Sequence, residues 1–228
     1  MADHNIVRST VSYDTNLDFH DWLRLEPLCT QAATCPVKRA MDVLVATLLL
    51  MLIAPLLVVI ALLVRLSGPG PILFWQQRSG LDQRVFRIAK FRTMHVLEDG
   101  LDLAHARPGD ARTTRVGRVL RRLSLDELPQ LINIVRGEMS FVGPRPHALA
   151  HDAHYGQRLP GYSLRFAVRP GLTGLAQVRG LRGGIDQLDG MADRVRADRQ
   201  YIENWSLGLD LLILARTAPR LLFDRAAY

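Results

Sequence analysis

The sequence predicts an α+β protein with a re-entrant membrane helix broken at a proline, amphipathic interfacial helices and a small β-hairpin. Three observations carry that expectation. Residues 43–64 (VLVATLLLMLIAPLLVVIALLV) are an uncharged apolar run interrupted by Pro55. Residues 71–94 (PILFWQQRSGLDQRVFRIAKFRTM) read as two strands around a polar turn at 79–83. Residues 115–123 (RVGRVLRRL) place Arg115, Arg118, Arg121 and Arg122 at helical spacing, with Val116, Leu120 and Leu123 between them.

Residues 1–37 are polar and without a clear period, and are expected to form a loosely held extension with a short helix near Phe19–Leu25. Arg8 and Arg24 are outnumbered there by Asp3, Asp14, Asp18, Asp21 and Glu26, so the rest of the chain is more basic than the net charge of +7 for the whole. A basic body calls for an anionic partner: nucleic acid, a membrane surface or a phosphorylated substrate. The two cysteines, Cys29 and Cys35, make neither a disulfide framework nor a zinc pattern and read as free thiols. The polar N-terminus shows no signal peptide, and the sequence has neither a Walker phosphate loop nor a dinucleotide fingerprint.

The apolar run at 43–64 reaches the roughly 20 residues that span a bilayer. A single crossing kinked at Pro55 is the plain reading. However, Pro55 leaves a half on each side that would cross only about half of the hydrocarbon core. Arg24, Lys38 and Arg39 flank one end and Arg65, Arg78 and Arg84 the other, so charge sets no orientation. That tie is expected of a helix–break–helix that dips into one leaflet, with residues 38–66 as the embedded unit and 67–228 as a cytoplasmic, membrane-associated domain.

In the second strand, Phe86 and Ile88 share a face with Lys90 and Arg92. A face that mixes aromatic and cationic residues suits the edge of a site better than a pure core. Residues 95–113 read as a loop or short helix. The basic helix 115–123 is either a solvated face or a surface for anionic headgroups or phosphate.

SLDELPQL (124–131) has two readings. Ser124 with Glu127 is the spacing of a capping box, and Asp126–Glu127 is a candidate catalytic acid pair. If Ser124 caps the helix, Pro129 sits badly inside it. If Leu128 caps it, Pro129 takes the first helical position and both acids lie just outside. Residues 129–135 are apolar and helical in pattern. VGPRP (142–146) and RPGLTG (169–174) are turn-forming loops, each with an arginine suited to fork onto phosphate. His147, His151 and His154 have metal-compatible spacing, although the polar face of a short helix explains it better. Residues 207–223, with Pro219 near the end, form a core or interfacial helix.

Six segments in order resemble the bacterial sugar transferase family, the monotopic phosphoglycosyl transferases. They are KRAMD (38–42), SGPGPILFWQQRSG (67–80), FRIAKFRTM (86–94), TRVGRVLRRLSLDELPQLINIVRGEMSFVGPRP (114–146), RPGLTGLAQVRG (169–180) and DRQYIENWSLGLDLLIL (198–214). The resemblance covers about residues 38–217. GGIDQLDGMADRV (183–195) and the absence of further N-terminal membrane helices look most like the exopolysaccharide-initiating hexose-1-phosphate transferases.

The resemblance implies an enzyme of the bacterial inner membrane, on its cytoplasmic face, with both termini cytoplasmic. It would move a hexose 1-phosphate, galactose or glucose, from a UDP-sugar to undecaprenyl phosphate and release UMP. It would work through a covalent phosphosugar on Asp126, with Glu127 holding Mg2+ together with Asp126. Arg121 and Arg145 would clamp phosphate, Lys90 and Arg92 would support the acids or the diphosphate, and Asp198 and then Tyr201 are further candidates. Membrane lipids are the other expected partners, a homo-oligomer is open, and nucleic acid is not expected, since no nucleic-acid motif accompanies the arginines. The chain departs from the family at Ala54, where serine is common, and at Leu175 and Arg179, where tryptophan and asparagine are common.

The chemistry suits these residue types. The reaction joins two anions, so positive charge must meet the phosphoryl oxygens and the leaving UMP. Two carboxylates can share a hard, oxygen-loving cation. A helix N-terminus beside them is expected to lower the pKa of Asp126. Two other classes fit the same composition: a glycosyltransferase that releases UDP, and a non-enzymatic membrane adaptor indifferent to Asp126.

Overall fold

Pro36 opens the longest element, α1 (Pro36–Leu66), at a position where its missing N–H leaves nothing unpaired. This computed structural model describes residues 31–95, 110, 112–181 and 188–223, so the helix expected near Phe19–Leu25 lies outside the described residues. Pro55 lies inside α1, and the helix is continuous across it. The expected break is therefore a proline within one helix and not a gap between two; Pro55 removes the donor for the Met51 carbonyl without ending the helix. Leu44, Leu48, Met51, Leu52, Val59 and Leu62 all stand exposed on it. An uncovered apolar surface of this length is long enough to lie in a bilayer.

The other stripe of α1 packs on the body. Ala46 is buried with Phe86, Ile88, Leu131, Ile134 and Met139. Further along, Ile60 and Val64 are buried with Phe91 and Leu120. The N-terminal end is fixed by buried polar groups: Lys38 Nζ pairs with Asp210 and donates to the Val142 carbonyl at 3.2 Å. Asp42 accepts from the Phe141 N–H at 3.2 Å. The residues just before α1 are not loose, since Ala32 is buried and the Ala33 carbonyl accepts from Arg169 at 2.6 Å.

The hairpin forms as the alternation predicts. Strands β1 (Leu73–Ser79) and β2 (Val85–Phe91) pair antiparallel, with Phe74 opposite Lys90 and Trp75 opposite Ala89. Asp82 and Gln83 in the turn adopt positive φ. After the helix α2 (Arg115–Arg122) and a 3-10 turn (Leu125–Glu127) comes α3 (Gln130–Arg136), which packs on β2 and α1.

A second sheet is absent from the sequence reading. Strand β3 (Ser140–Val142) pairs in parallel with β4 (Gly171–Thr173), on either side of the helix α4 (Leu149–Gly156) and a 3-10 segment (Tyr162–Ala167). This pairing presses the two Gly/Pro loops together. A Cβ on Gly171 would come within 2.1 Å of the Gly143 nitrogen, and one on Gly174 within 2.2 Å of the Gly143 oxygen. The short α5 (Leu175–Val178), α6 (Leu188–Glu203) and α7 (Leu207–Phe223) complete the body. Tyr201, Ile202 and Ile213 from these helices are buried with Val142 and Leu164.

Candidate active site

Helix α2 ends beside the hairpin, and the reversal that follows builds the site. Ser124 sits in the left-handed region, at φ 54° and ψ 21°, which turns the chain sharply after α2. Its side chain makes no cap, so the capping box does not form. The turn then places Leu125 and Leu128 against the Val64–Phe91 cluster. Asp126 and Glu127 lie between those two anchors, in a 3-10 turn just outside α3, which begins after Pro129. Both acids thus lie outside the helix, as the second placement read from the sequence expects, but the cap is Pro129 and not Leu128.

Glu127 is held from two sides. Lys90 Nζ donates to its Oε1 at 2.9 Å, and Arg145 forks onto the carboxylate, with Nη1 at 3.2 Å from Oε2 and Nη2 on Oε1. The mixed face of β2 is thereby explained: its apolar end, Phe86 and Ile88, packs on α3, and its polar end reaches the acid. Asn133, buried on α3, fixes this geometry. Its side chain accepts from the Ala89 N–H at 3.0 Å and donates to the Arg87 carbonyl at 2.8 Å, on either side of Ile88.

The two carboxyls are driven apart electrostatically. Burial works to raise the Glu127 pKa, but Arg145 and then Lys90 outweigh it and hold the group well below its ordinary value. Burial and the neighbouring Glu127 charge push Asp126 up, with Lys90, Arg121 and Arg145 opposing only in part. The lowering expected of Asp126 is therefore not found, because burial, joined by the Glu127 charge, outweighs the pull of the cations. Among the described residues no hydrogen bond reaches the Asp126 carboxylate, and it is only partly buried.

The other candidates lie at graded distances from the pair. Arg121 Nε donates to Thr93 Oγ1 at 2.9 Å, and its charge acts on Asp126. Arg92 is buried and points elsewhere: it donates to the Val64 carbonyl at 2.9 Å, to Gly68 at 2.7 Å and to Pro69, closing the C-terminal end of α1. Asp198 is buried against Arg165, with Nε at 2.7 Å from Oδ2. The Tyr201 hydroxyl donates to Asp210 at 2.8 Å and lies 3.1 Å from the Val142 carbonyl, within the network that holds Lys38. Arg169 does not join Arg145; it donates to the Gly137 and Ala33 carbonyls. The three histidines diverge: His147 meets Tyr162, His154 meets Arg158, and His151 lies near the Tyr155 ring.

Asn133 and Arg165 escaped the sequence reading. Each is a polar residue inside an apolar stretch, LINIV and LRFAV, and that interruption was the available signal.

Among the described residues no group of three or more His, Cys, Asp or Glu side chains converges. Asp126 and Glu127 offer two adjacent hard oxygen donors, which fits Mg2+, a cation usually held by one or two carboxylates with water and substrate phosphates.

The fold and the site define a membrane-associated protein built around an acid pair ringed by cations, an arrangement suited to phosphoryl transfer. The chain belongs to the bacterial sugar transferase family, whose description matches residues 33–224. It is 57% identical over 84% of its length to the UDP-glucose:undecaprenyl-phosphate glucose-1-phosphate transferase of Caulobacter vibrioides and covers 72% of that relative. It is 49% identical to the protein of the same description from Escherichia coli K12, again over 84% of this chain, but spans only 41% of that relative. The exopolysaccharide production protein ExoY of Rhizobium meliloti is 41% identical, with 84% of this chain matching 88% of the relative.

Proposed function

We propose that this protein transfers glucose 1-phosphate from UDP-glucose to undecaprenyl phosphate and releases UMP, with Asp126 as nucleophile, as the first membrane step of exopolysaccharide synthesis. The observation that carries the mechanism is the asymmetry of the acid pair: Glu127 is gripped by Lys90 and Arg145, while among the described residues no hydrogen bond reaches Asp126 beside it. The relatives' descriptions supply the substrates, and glucose is the sugar named for the Caulobacter vibrioides and Escherichia coli proteins.

In this reading an Asp126 oxygen attacks the β-phosphorus of UDP-glucose. The bond between the β-phosphorus and the bridging oxygen breaks, and UMP leaves with that oxygen. A phosphate oxygen of undecaprenyl phosphate then attacks the same phosphorus and frees the carboxylate. The raised pKa of Asp126 makes its ionised form a better nucleophile, while the nearby cations keep that form accessible. Lys90, Arg121 and Arg145 supply positive charge beside the phosphoryl oxygens, where it counts most during the displacement. Mg2+ bound at Asp126 and Glu127 would neutralise charge on the diphosphate and on the departing UMP.

The re-entrant path of α1 belongs to the same proposal. Lys38 at one end and Val64 at the other are both fixed to one body, through Asp210 and through Phe91 with Leu120. A spanning helix would place those ends on opposite faces, and the body would then have to cross the bilayer with its buried ion pairs. With both ends of α1 held on the cytoplasmic side, the exposed middle of the helix enters one leaflet.

The test is nucleotide release from detergent-solubilised protein supplied with undecaprenyl phosphate, Mg2+ and either UDP-glucose or UDP-galactose. UMP from UDP-glucose, absent in Asp126→Asn, is expected. UMP from UDP-galactose alone would change the sugar, UDP would change the reaction, and neither nucleotide from either sugar would overturn the proposal.

A further inference from the structure

Arg165 makes four polar contacts while almost fully buried. Its Nε donates to Asp198 Oδ2 at 2.7 Å, and its Nη1 lies 2.9 Å from His147 Nδ1 and 3.0 Å from the Tyr162 hydroxyl. Its Nη2 donates to the Arg145 carbonyl at 2.6 Å. The Tyr162 hydroxyl donates onward to Asp152 Oδ1 at 2.8 Å, so it accepts from Arg165. His147 is held neutral by burial and the surrounding arginines, which leaves its Nδ1 able to accept.

Burying an ion pair costs desolvation that the pairing seldom more than offsets, so such a pair is a weak source of stability and suits a geometric role better. The geometry here has a definite target. Arg145 stands between Pro144 and Pro146, whose rings restrict the backbone on both sides. One hydrogen bond to its carbonyl then fixes the origin of the side chain that forks onto Glu127.

We propose that Arg165, locked by Asp198, is a positioning residue that sets the reach of Arg145 onto Glu127. This rests on the reading of Asp126 and Glu127 as the reacting pair. It also gives Asp198 a role without substrate contact, acting through Arg165 and the Arg145 backbone.

A double-mutant cycle tests it. Arg165→Lys keeps the charge opposite Asp198 but loses the fork. Its kcat for UMP release, at saturating UDP-glucose and undecaprenyl phosphate, should fall about ten- to a hundredfold, the scale of a misplaced catalytic group. KM for UDP-glucose should change less than about threefold, because the charge that Arg145 brings counts most during the displacement and less in the bound substrate. In an Arg145→Met background the same substitution should change the residual rate less than about twofold. Asp198→Asn, carried through the same cycle, should follow the same pattern and serves if Arg165→Lys does not fold. Equal losses in both backgrounds, or an Arg145→Met variant with unchanged kcat, would overturn the positioning role. Failure of both Arg165→Lys and Asp198→Asn to fold, read by melting in detergent, would assign the pair to the fold and also overturn it. Wild-type protein that releases no UMP would instead sink the reading of the site itself.

Discussion

Replacing Asp126 by asparagine should remove activity and stabilise the fold at once. The Asp126 carboxyl is pushed up by burial and by Glu127, against partial opposition from Lys90, Arg121 and Arg145. A carboxyl with a raised folded pKa binds its proton more tightly folded than unfolded. Its ionisation therefore costs nothing well below the ordinary aspartate value and costs stability as pH rises through that value towards the folded one. The penalty is fully present above the folded value. Relieving an unfavourable charge is commonly worth about 1 kcal/mol. For a chain of this size that is a rise in Tm of about 2–4 °C. Asparagine keeps the volume and drops the charge, so the gain should appear in a thermal melt in detergent near pH 7.5 and shrink as pH falls towards the carboxylate range. UMP release in the same preparation should fall at least about 10³-fold, as expected for a lost nucleophile. A Tm lowered by a similar amount would refute the electrostatic argument, and turnover within tenfold of wild type would refute the nucleophile.

Other changes have equally definite outcomes. The Glu127 pKa is depressed, so its contribution is present above its ordinary value near 4.5 and is lost as pH falls through the lower folded value. Glu127→Gln should accordingly cost about 1–3 kcal/mol near neutrality, and acid titrations of the two proteins should converge below that range. Gly171→Ala would drive a Cβ to 2.1 Å from the Gly143 nitrogen and 2.3 Å from the Thr173 oxygen. Both neighbours are backbone, so a loss above about 3 kcal/mol and little folded protein on size exclusion are expected. Asn133→Leu strips partners from the Ala89 N–H, the Arg87 carbonyl and Glu138, and should lower Tm by several degrees at a cost of about 2–4 kcal/mol. Pro55→Ala restores the donor for the Met51 carbonyl and favours a straight helix. Cysteines placed at His20 and Gly100, with Cys29 and Cys35 replaced by serine, should label from the same side in the parent and partly from opposite sides in Pro55→Ala. Opposite-side labelling in the parent would rule out the re-entrant path.

Much of the fold was legible because it is local. The hairpin follows from alternation across a polar turn, and α1 from an uncharged run opened by proline. The β3–β4 pair was not legible. Each strand is three residues long within a Gly/Pro loop, and only a partner about thirty residues away makes it a strand. The arginines show the same limit. Arg92 and Arg145 look alike in sequence, each beside turn-forming or alternating residues. Arg145 reaches Glu127, whereas Arg92 turns to the Val64 and Gly68 carbonyls where α1 ends and the chain leaves the helix. Spacing along the chain does not carry that difference; the packing of α1 on the hairpin does.

The acid pair shows how the backbone can overcome a rule of spacing. Neighbouring residues on a regular helix point about 100° apart and would not serve one centre. Here Ser124 in the left-handed region and the 3-10 turn place both acids ahead of α3, and Leu125 and Leu128 pin the turn on either side of them. Glu127 then falls within reach of Lys90 and Arg145, while among the described residues no hydrogen bond reaches the Asp126 carboxylate. Each acid thereby acquires a different chemistry from its surroundings. The held one stays ionised across the physiological range and anchors positive charge, and the other becomes more basic, as the proposed nucleophile requires. Two carboxyls whose environments push their pKa values apart are what a reaction with separate nucleophile and charge-organising roles requires. The one-residue spacing keeps both within the same cluster of cations.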